Sequence, residues 1–299
     1  MQTPSREEMI RMARETRKQV TNAAVPEELM RQFPVTMKEL TIPFVERDIP
    51  VYYSYPDEMH NPDVLVLNFH GGGFIRARTP NDELFCRRMN HALSCKVLDV
   101  DYAIAPDDPF PVAVHQSYFI FNWVREHAAE WEIAPEKLVL MGHSAGGNLA
   151  IGAVMRALEN GAPLPALLVS SYPPLDVYTD PADKPSMGKG IPPERARLYN
   201  LYYCDRELQK DPYCSPIYAP DEMLRGFPPT LILTAGLDAL CNEAEEFALR
   251  LARNFNEVTC KRFQNVDHGF TIYRREGCDA GYECMFRFVK NGLGLKEGT

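Results

Sequence analysis

The sequence predicts an α/β fold, a mainly parallel β-sheet with helices on both faces. Five short runs, Val64–Phe69, Lys96–Val100, Lys137–Met141, Ala166–Ser170 and Thr230–Thr234, are predominantly apolar rather than strictly alternating. That is the pattern of strands buried on both faces. Segments with helical spacing of apolar residues lie between them, and such alternation winds a sheet with parallel strands. The composition supports a large core: of 299 residues, 45% are hydrophobic and 24% charged, an ordinary globular balance that argues against disorder.

The elements follow in order. Ser5 with Glu8 reads as a capping box, opening a charged helix to about Val20. Pro26 suits the first position of a second, short helix ending near Gln32. Strands are expected near Leu40–Val45 and Ile49–Tyr55, ahead of the run Val64–Phe69. Thr79-Pro80 starts a helix to about Leu93, and Val112–His127 forms another. Ala145–Leu158 is apolar nearly all round and has Gly161 placed to end it. A more polar strand at about Val258–Phe263 separates two last helices, Asn242–Asn254 and Tyr282–Lys290. The stretch Asp176–Pro212 is rich in Pro and Tyr and too long for an ordinary connection. It reads as a lid or binding loop, which leaves residues 1–299 as one domain.

Charge and cysteines narrow the function. Thirty-two Lys and Arg against 41 Asp and Glu leave a net charge of −9. An acidic surface repels phosphate backbones and anionic lipid, so neither nucleic acid nor membrane is an expected partner. No apolar run approaches the roughly 18 residues that span a bilayer. The first twenty residues carry Arg6, Glu7, Glu8, Arg11, Arg14, Glu15, Arg17 and Lys18, which no secretory signal tolerates. Eight scattered cysteines without a Cys-x-x-Cys pair suggest reduced thiols in a cytoplasm, and no metal site is expected.

One constellation carries chemistry. Gly142-His143-Ser144-Ala145-Gly146-Gly147 follows a strand and opens an apolar helix. In this setting Gly-x-Ser-x-Gly makes a tight turn that lifts the serine hydroxyl above the sheet, at a helix N-terminus. Gly142 and Gly146 flank Ser144 because the turn leaves no room there for side chains. Nine serines and 18 glycines would give only about 0.03 such matches by chance, before the setting is required. His70-Gly71-Gly72-Gly73 also follows a strand, and its glycines let the backbone approach a substrate closely. Gly71, Gly72 and the N–H of Ala145 are the expected oxyanion donors, with His70 and Gly73 shaping the loop.

A serine nucleophile needs a base, and the base an orienting acid. On this strand–helix plan they follow the serine in the order acid, histidine. His60, His91, His115 and His127 precede Ser144 and read as surface or helix-face residues. His143 adjoins Ser144, but the turn points neighbouring side chains apart. His268, the one histidine after Ser144, is the expected base. Asp238 follows the run Thr230–Thr234 at the carboxyl edge of the sheet, where open α/β sheets bind ligands. It is the expected acid. Asp267 adjoins His268 and should face away from it; Asp176, after the run Ala166–Ser170, is the other rival.

With these residues the sequence resembles the hormone-sensitive-lipase-like branch of the α/β-hydrolase carboxylesterases. The matching segments are His70–Gly73, Asp101-Tyr102-Ala103-Ile104-Ala105-Pro106, Gly142–Gly147, Gly236-Leu237-Asp238 and Asp267-His268-Gly269-Phe270, in order from roughly residue 40 to the C-terminus. The resemblance implies an α/β-hydrolase fold with an eight-stranded sheet and a helical cap, drawn from about residues 1–40 and 176–212. It implies ester hydrolysis without cofactor or metal, commonly of small acyl groups, and allows a homodimer paired through an edge strand. Two departures bear on substrate rather than reaction. His143 stands where the family often has Asp, and Asp107-Asp108-Pro109 where Glu-His-Pro is common.

The expectation is a serine carboxylesterase acting on small-molecule, short-chain (acetyl-like) esters through an acyl-enzyme. A serine peptidase or amidase of the same fold shares the triad order, but usually carries a separate large domain. A catalytically silent ligand-binding relative, as in the plant gibberellin receptors, lacks the working histidine that His268 supplies here.

Overall fold

The computed structural model describes residues 4–19 and 24–295. Val20, where the first helix was expected to end, and residues 1–3 and 21–23 of the expected cap lie outside the described residues. Eight strands form one sheet: β1 (Thr36–Ile42), β2 (Ile49–Tyr55), β3 (Leu65–Phe69), β4 (Lys96–Val100), β5 (Leu138–His143), β6 (Leu167–Ser171), β7 (Thr230–Ala235) and β8 (Val258–Phe263). Their order is β1-β2-β4-β3-β5-β6-β7-β8. The β1–β2 and β2–β4 pairs are antiparallel, and the pairs from β4–β3 to β7–β8 are parallel.

The continuous apolar runs are explained by two cores, one on each face. Leu65, Leu67 and Phe69 of β3 join Leu138 and Leu140 of β5 against helices α4 (Val112–Glu126), α5 (Ala145–Glu159) and α7 (Cys241–Arg253). Val66, Val139 and Met141 point the other way, onto α3 (Pro80–Leu93) and α8 (Cys278–Leu293). Successive strand residues alternate faces, so a sheet covered twice needs both sets apolar. At the edge, β8 is largely exposed and carries Lys261 and Arg262, charges that discourage unwanted strand pairing.

Two boundaries differ from expectation. The first strand is Thr36–Ile42 rather than Leu40–Val45, because its register runs from Thr36 opposite Tyr55 to Ile42 opposite Ile49. Pro43 has no N–H to continue the ladder, and Val45 is exposed in the turn. The expected cap limit at residue 40 therefore falls inside a sheet strand. Helix α8 begins at Cys278, four residues before Tyr282, behind Gly277 at φ +82°.

The expected second helix is α2 (Glu27–Arg31), with Pro26 just before it. Two further helices lie above the carboxyl ends of the strands. In α1 (Arg6–Gln19), the Ser5 hydroxyl accepts from the Glu8 N–H and the Glu8 carboxylate accepts from the Ser5 N–H, the expected capping box. Arg17 of α1 donates to the carbonyls of Ile75 at 2.6 Å and Ala105 at 2.8 Å, in the loops after β3 and β4. The Asp176–Pro212 stretch contains α6 (Pro193–Tyr203), which packs on α1. The Tyr203 ring stacks on Phe74, centroids 3.7 Å apart, and Lys184 pairs with buried Glu243 of α7 at 2.5 Å.

Candidate active site

The turn between β5 and α5 puts Ser144 at φ +53°, a strained conformation for a residue with a side chain. Its cost is borne because the neighbouring backbone leaves no alternative. A Cβ on Gly142 would stand 2.2 Å from the Gly146 carbonyl oxygen, and one on Gly146 would stand 1.9 Å from that of Phe69. Only glycine fits at either position. The Ser144 hydroxyl thus stands at the N-terminus of α5 and reaches the cavity above the sheet.

Three residues from three loops meet there. Ser144 Oγ lies 2.9 Å from His268 Nε2, and His268 Nδ1 lies 2.5 Å from Asp238 Oδ2. All three are buried. The carboxylate fixes the imidazole with Nδ1–H toward Asp238 and the Nε2 lone pair toward the hydroxyl. The rival acids are engaged elsewhere. Asp267 accepts from the backbone N–H of His268 at 2.7 Å and pairs with Arg275 at 3.0 Å. Asp176 accepts from the N–H groups of Tyr178 and Thr179 and from the Tyr218 hydroxyl.

The N–H of Gly71 lies 2.9 Å from His143 Nε2, the same nitrogen that faces Asp82 at 3.0 Å. No hydrogen bond within the described residues engages the N–H groups of Gly72, Gly73 or Ala145; Gly72 and Gly73 line the cavity together with Ser144, and Ala145 follows it in sequence. His70 does shape the loop: its Nδ1 donates to the Gly71 carbonyl at 2.7 Å and its Nε2 lies 3.2 Å from Asp101. Burial lowers the His70 pKa, but the hydrogen bond to Asp101 and the charges of Asp82, Asp101 and Asp99 outweigh it and raise it. Tyr102 stacks on the His70 ring and donates to its carbonyl at 2.8 Å.

Reading the sequence missed two neighbours. Asp82, in the first turn of α3, accepts from Thr79 in a capping box and lies 3.0 Å from His143 Nε2. Burial raises the Asp82 carboxyl, yet the hydrogen bond and charge of His143 and the contact with Thr79 overcome this and hold it at about 2. Thr-x-x-Asp was legible as a cap; its second partner was not. Tyr172, just past β6, stacks edge-on to His268 at 5.1 Å, with its hydroxyl 2.5 Å from that of Thr271.

Two cavities meet at Ser144. The larger, about 360 Å³, is lined by the glycine loop, Arg76, Tyr172, Arg195, Tyr199 and His268 among others. The smaller, about 50 Å³, lies among Pro174, Ile191, Ala196, Tyr199 and Leu240. Among the described residues no cluster of three or more His, Cys, Asp or Glu is placed to hold a metal ion, and no helix is long and apolar enough to cross a membrane.

A serine turn, a histidine and an acid at the carboxyl edge of a mainly parallel eight-stranded sheet define the α/β-hydrolase class. The alpha/beta hydrolase fold family matches residues 66–272, and the chain belongs to it. Among its relatives, the carboxylic ester hydrolase LipN of Mycobacterium tuberculosis is 31% identical over 248 residues, 80% of this chain and 65% of LipN. The chain thus spans just under two thirds of that relative's length. Human hormone-sensitive lipase is 31% identical over 131 residues, 44% of this chain and 12% of the lipase. Among solved structures, carboxyl esterase 2 from the fungus Tuber melanosporum superposes with a TM-score of 0.80 at 25% identity, covering 87% of this chain and 88% of the esterase.

Proposed function

We propose that this protein is a serine carboxylesterase that cleaves short-chain, acetyl-like esters through an acyl-enzyme. The observation that carries the reading is the unbroken line from Ser144 Oγ to His268 Nε2 to Asp238, in a cavity large enough for a small ester. The relatives named as ester hydrolases support the same class.

As Ser144 Oγ attacks the ester carbonyl, its proton passes to His268 Nε2 and the carbonyl electron pair moves onto oxygen. The N–H groups of Gly72, Gly73 and Ala145 receive that oxyanion, each worth about 2.7–4 kcal/mol of barrier. Collapse expels the alkoxide, which takes the proton from His268 and leaves Ser144 acylated. Water, deprotonated by His268, attacks the acyl group and returns free acid and free Ser144. Asp238 stabilises the imidazolium in both halves. The small apolar compartment beside Ser144, with Ile191, Ala196 and Leu240, favours a short acyl group.

In this reading α1 and the 176–212 segment form the cap, supported by the place of Arg195 and Tyr199 over the cavity. Eight free thiols favour a reducing cytoplasm.

The test is labelling and mutation together. An organophosphonate should modify Ser144, and Ser144→Ala should abolish hydrolysis of 4-nitrophenyl acetate with an unchanged melting temperature. Modification elsewhere, or an active Ser144→Ala protein, would overturn the proposal.

A further inference from the structure

The larger cavity carries charge that ester hydrolysis does not use. Arg76 and Arg195 both line it beside Ser144, and among the described residues neither guanidinium has a hydrogen-bond or ion-pair partner. Carboxylates outnumber Lys and Arg in this chain by 41 to 32, so partners are in excess. Their neighbours in sequence found them: Arg78 pairs with Asp99 at 2.5 Å, and Arg197, on the same helix as Arg195, pairs with Asp180 at 2.7 Å. Arg275, also at the cavity, is held by Asp267. The two carboxylates lining this cavity are likewise engaged, Asp82 with His143 and Asp267 with Arg275. Two guanidinium groups are left facing one space.

Guanidinium presents a rigid fork of donors that matches a carboxylate, sulfate or phosphate, and two of them define an anion subsite. The smaller compartment, with Ile191, Ala196 and Leu240, offers room for a short apolar acyl chain. The large, charged side is then the place of the alcohol. We infer that the preferred esters carry an anionic oxygen group on the alcohol moiety, bound by Arg76 and Arg195. This rests on the esterase reading above and adds a substrate class to it. An acidic protein repels anions at long range, so a local pair of unpaired cations is needed to admit one.

The test compares 3- and 4-acetoxybenzoate with the neutral 3- and 4-acetoxybenzamides, each rate corrected for spontaneous hydrolysis. Cleavage of the neutral amides, lost in Ser144→Ala, reports the esterase reading by itself. At low salt, kcat/KM for at least one benzoate should exceed that of its amide by about tenfold, equivalent to about 1.4 kcal/mol. Arg76→Gln and Arg195→Gln should each lower that ratio at least about threefold, chiefly through KM. About 0.5 M salt should also lower it, because exposed charges are screened. Phenyl hydrogen succinate, with its carboxylate on the acyl side, should be a poorer substrate than phenyl acetate. Ratios at or below one for both benzoates, a ratio that survives both substitutions, or a preference for the succinate overturns the inference.

Discussion

Asp82 Oδ1 lies 3.0 Å from His143 Nε2, on the residue that adjoins Ser144. The same ring nitrogen lies 2.9 Å from the N–H of Gly71. One nitrogen can accept from the amide or donate to the carboxylate, not both. His143 stands between the glycine loop and α3, while the ring nitrogen that faces Ser144 Oγ belongs to His268.

An aspartate at position 143 would be harmful. His143→Asp brings a second carboxylate against Asp82 in a buried site, where two like charges about 4 Å apart repel by about 4 kcal/mol at an effective dielectric of 20. Turnover should fall about 100-fold. Adding Asp82→Asn should restore at least about tenfold, a coupling that a double-mutant cycle measures. Additive losses would contradict the pairing.

The acid is tested by contrast. Asp238→Asn should lower kcat by about 10⁴, because it holds the wrong imidazole tautomer. Asp267→Asn should cost far less, since Asp267 meets the backbone N–H of His268 and not its ring. The reverse ranking of the two variants would reassign the acid.

Acyl length follows from the smaller compartment. Each methylene that finds room adds about 0.8 kcal/mol, and about 50 Å³ is soon full. In a series of 4-nitrophenyl esters, kcat/KM should peak at C2–C4 and fall steeply beyond C8. Rate constants still rising from C4 to C12 would refute the short pocket.

Acid should unfold the protein partly through Asp82. Its carboxyl is held at about 2, below the ordinary 3.8, so the folded state resists the proton that the unfolded chain accepts. That stabilisation, about 2 kcal/mol, is present above pH about 4 and is lost as pH falls toward 2. Urea denaturation should show wild type and Asp82→Asn converging across that window. A constant gap between them would assign the effect to other groups.

Much of this protein was legible in its sequence. The five double-buried strands announce themselves because a sheet covered on both faces needs continuous apolar runs. Gly142, Ser144 and Gly146 are recognisable because one tight turn dictates all three, and His268 because it is the sole histidine after the nucleophile. These are local constraints, set by residues a few positions apart. The position of β1 was misread because a two-stranded register depends on β2 and not on the strand's own residues. Nothing nearby in sequence reveals that the Gly71 N–H meets His143, 72 residues later. Asp82 both caps α3 and forms half of a buried pair with His143, and Arg76 and Arg195 line one cavity from distant segments. Which hydrogen-bond partner a side chain finds, and which charge finds none, is decided by packing between distant segments. The tertiary structure alone decides it.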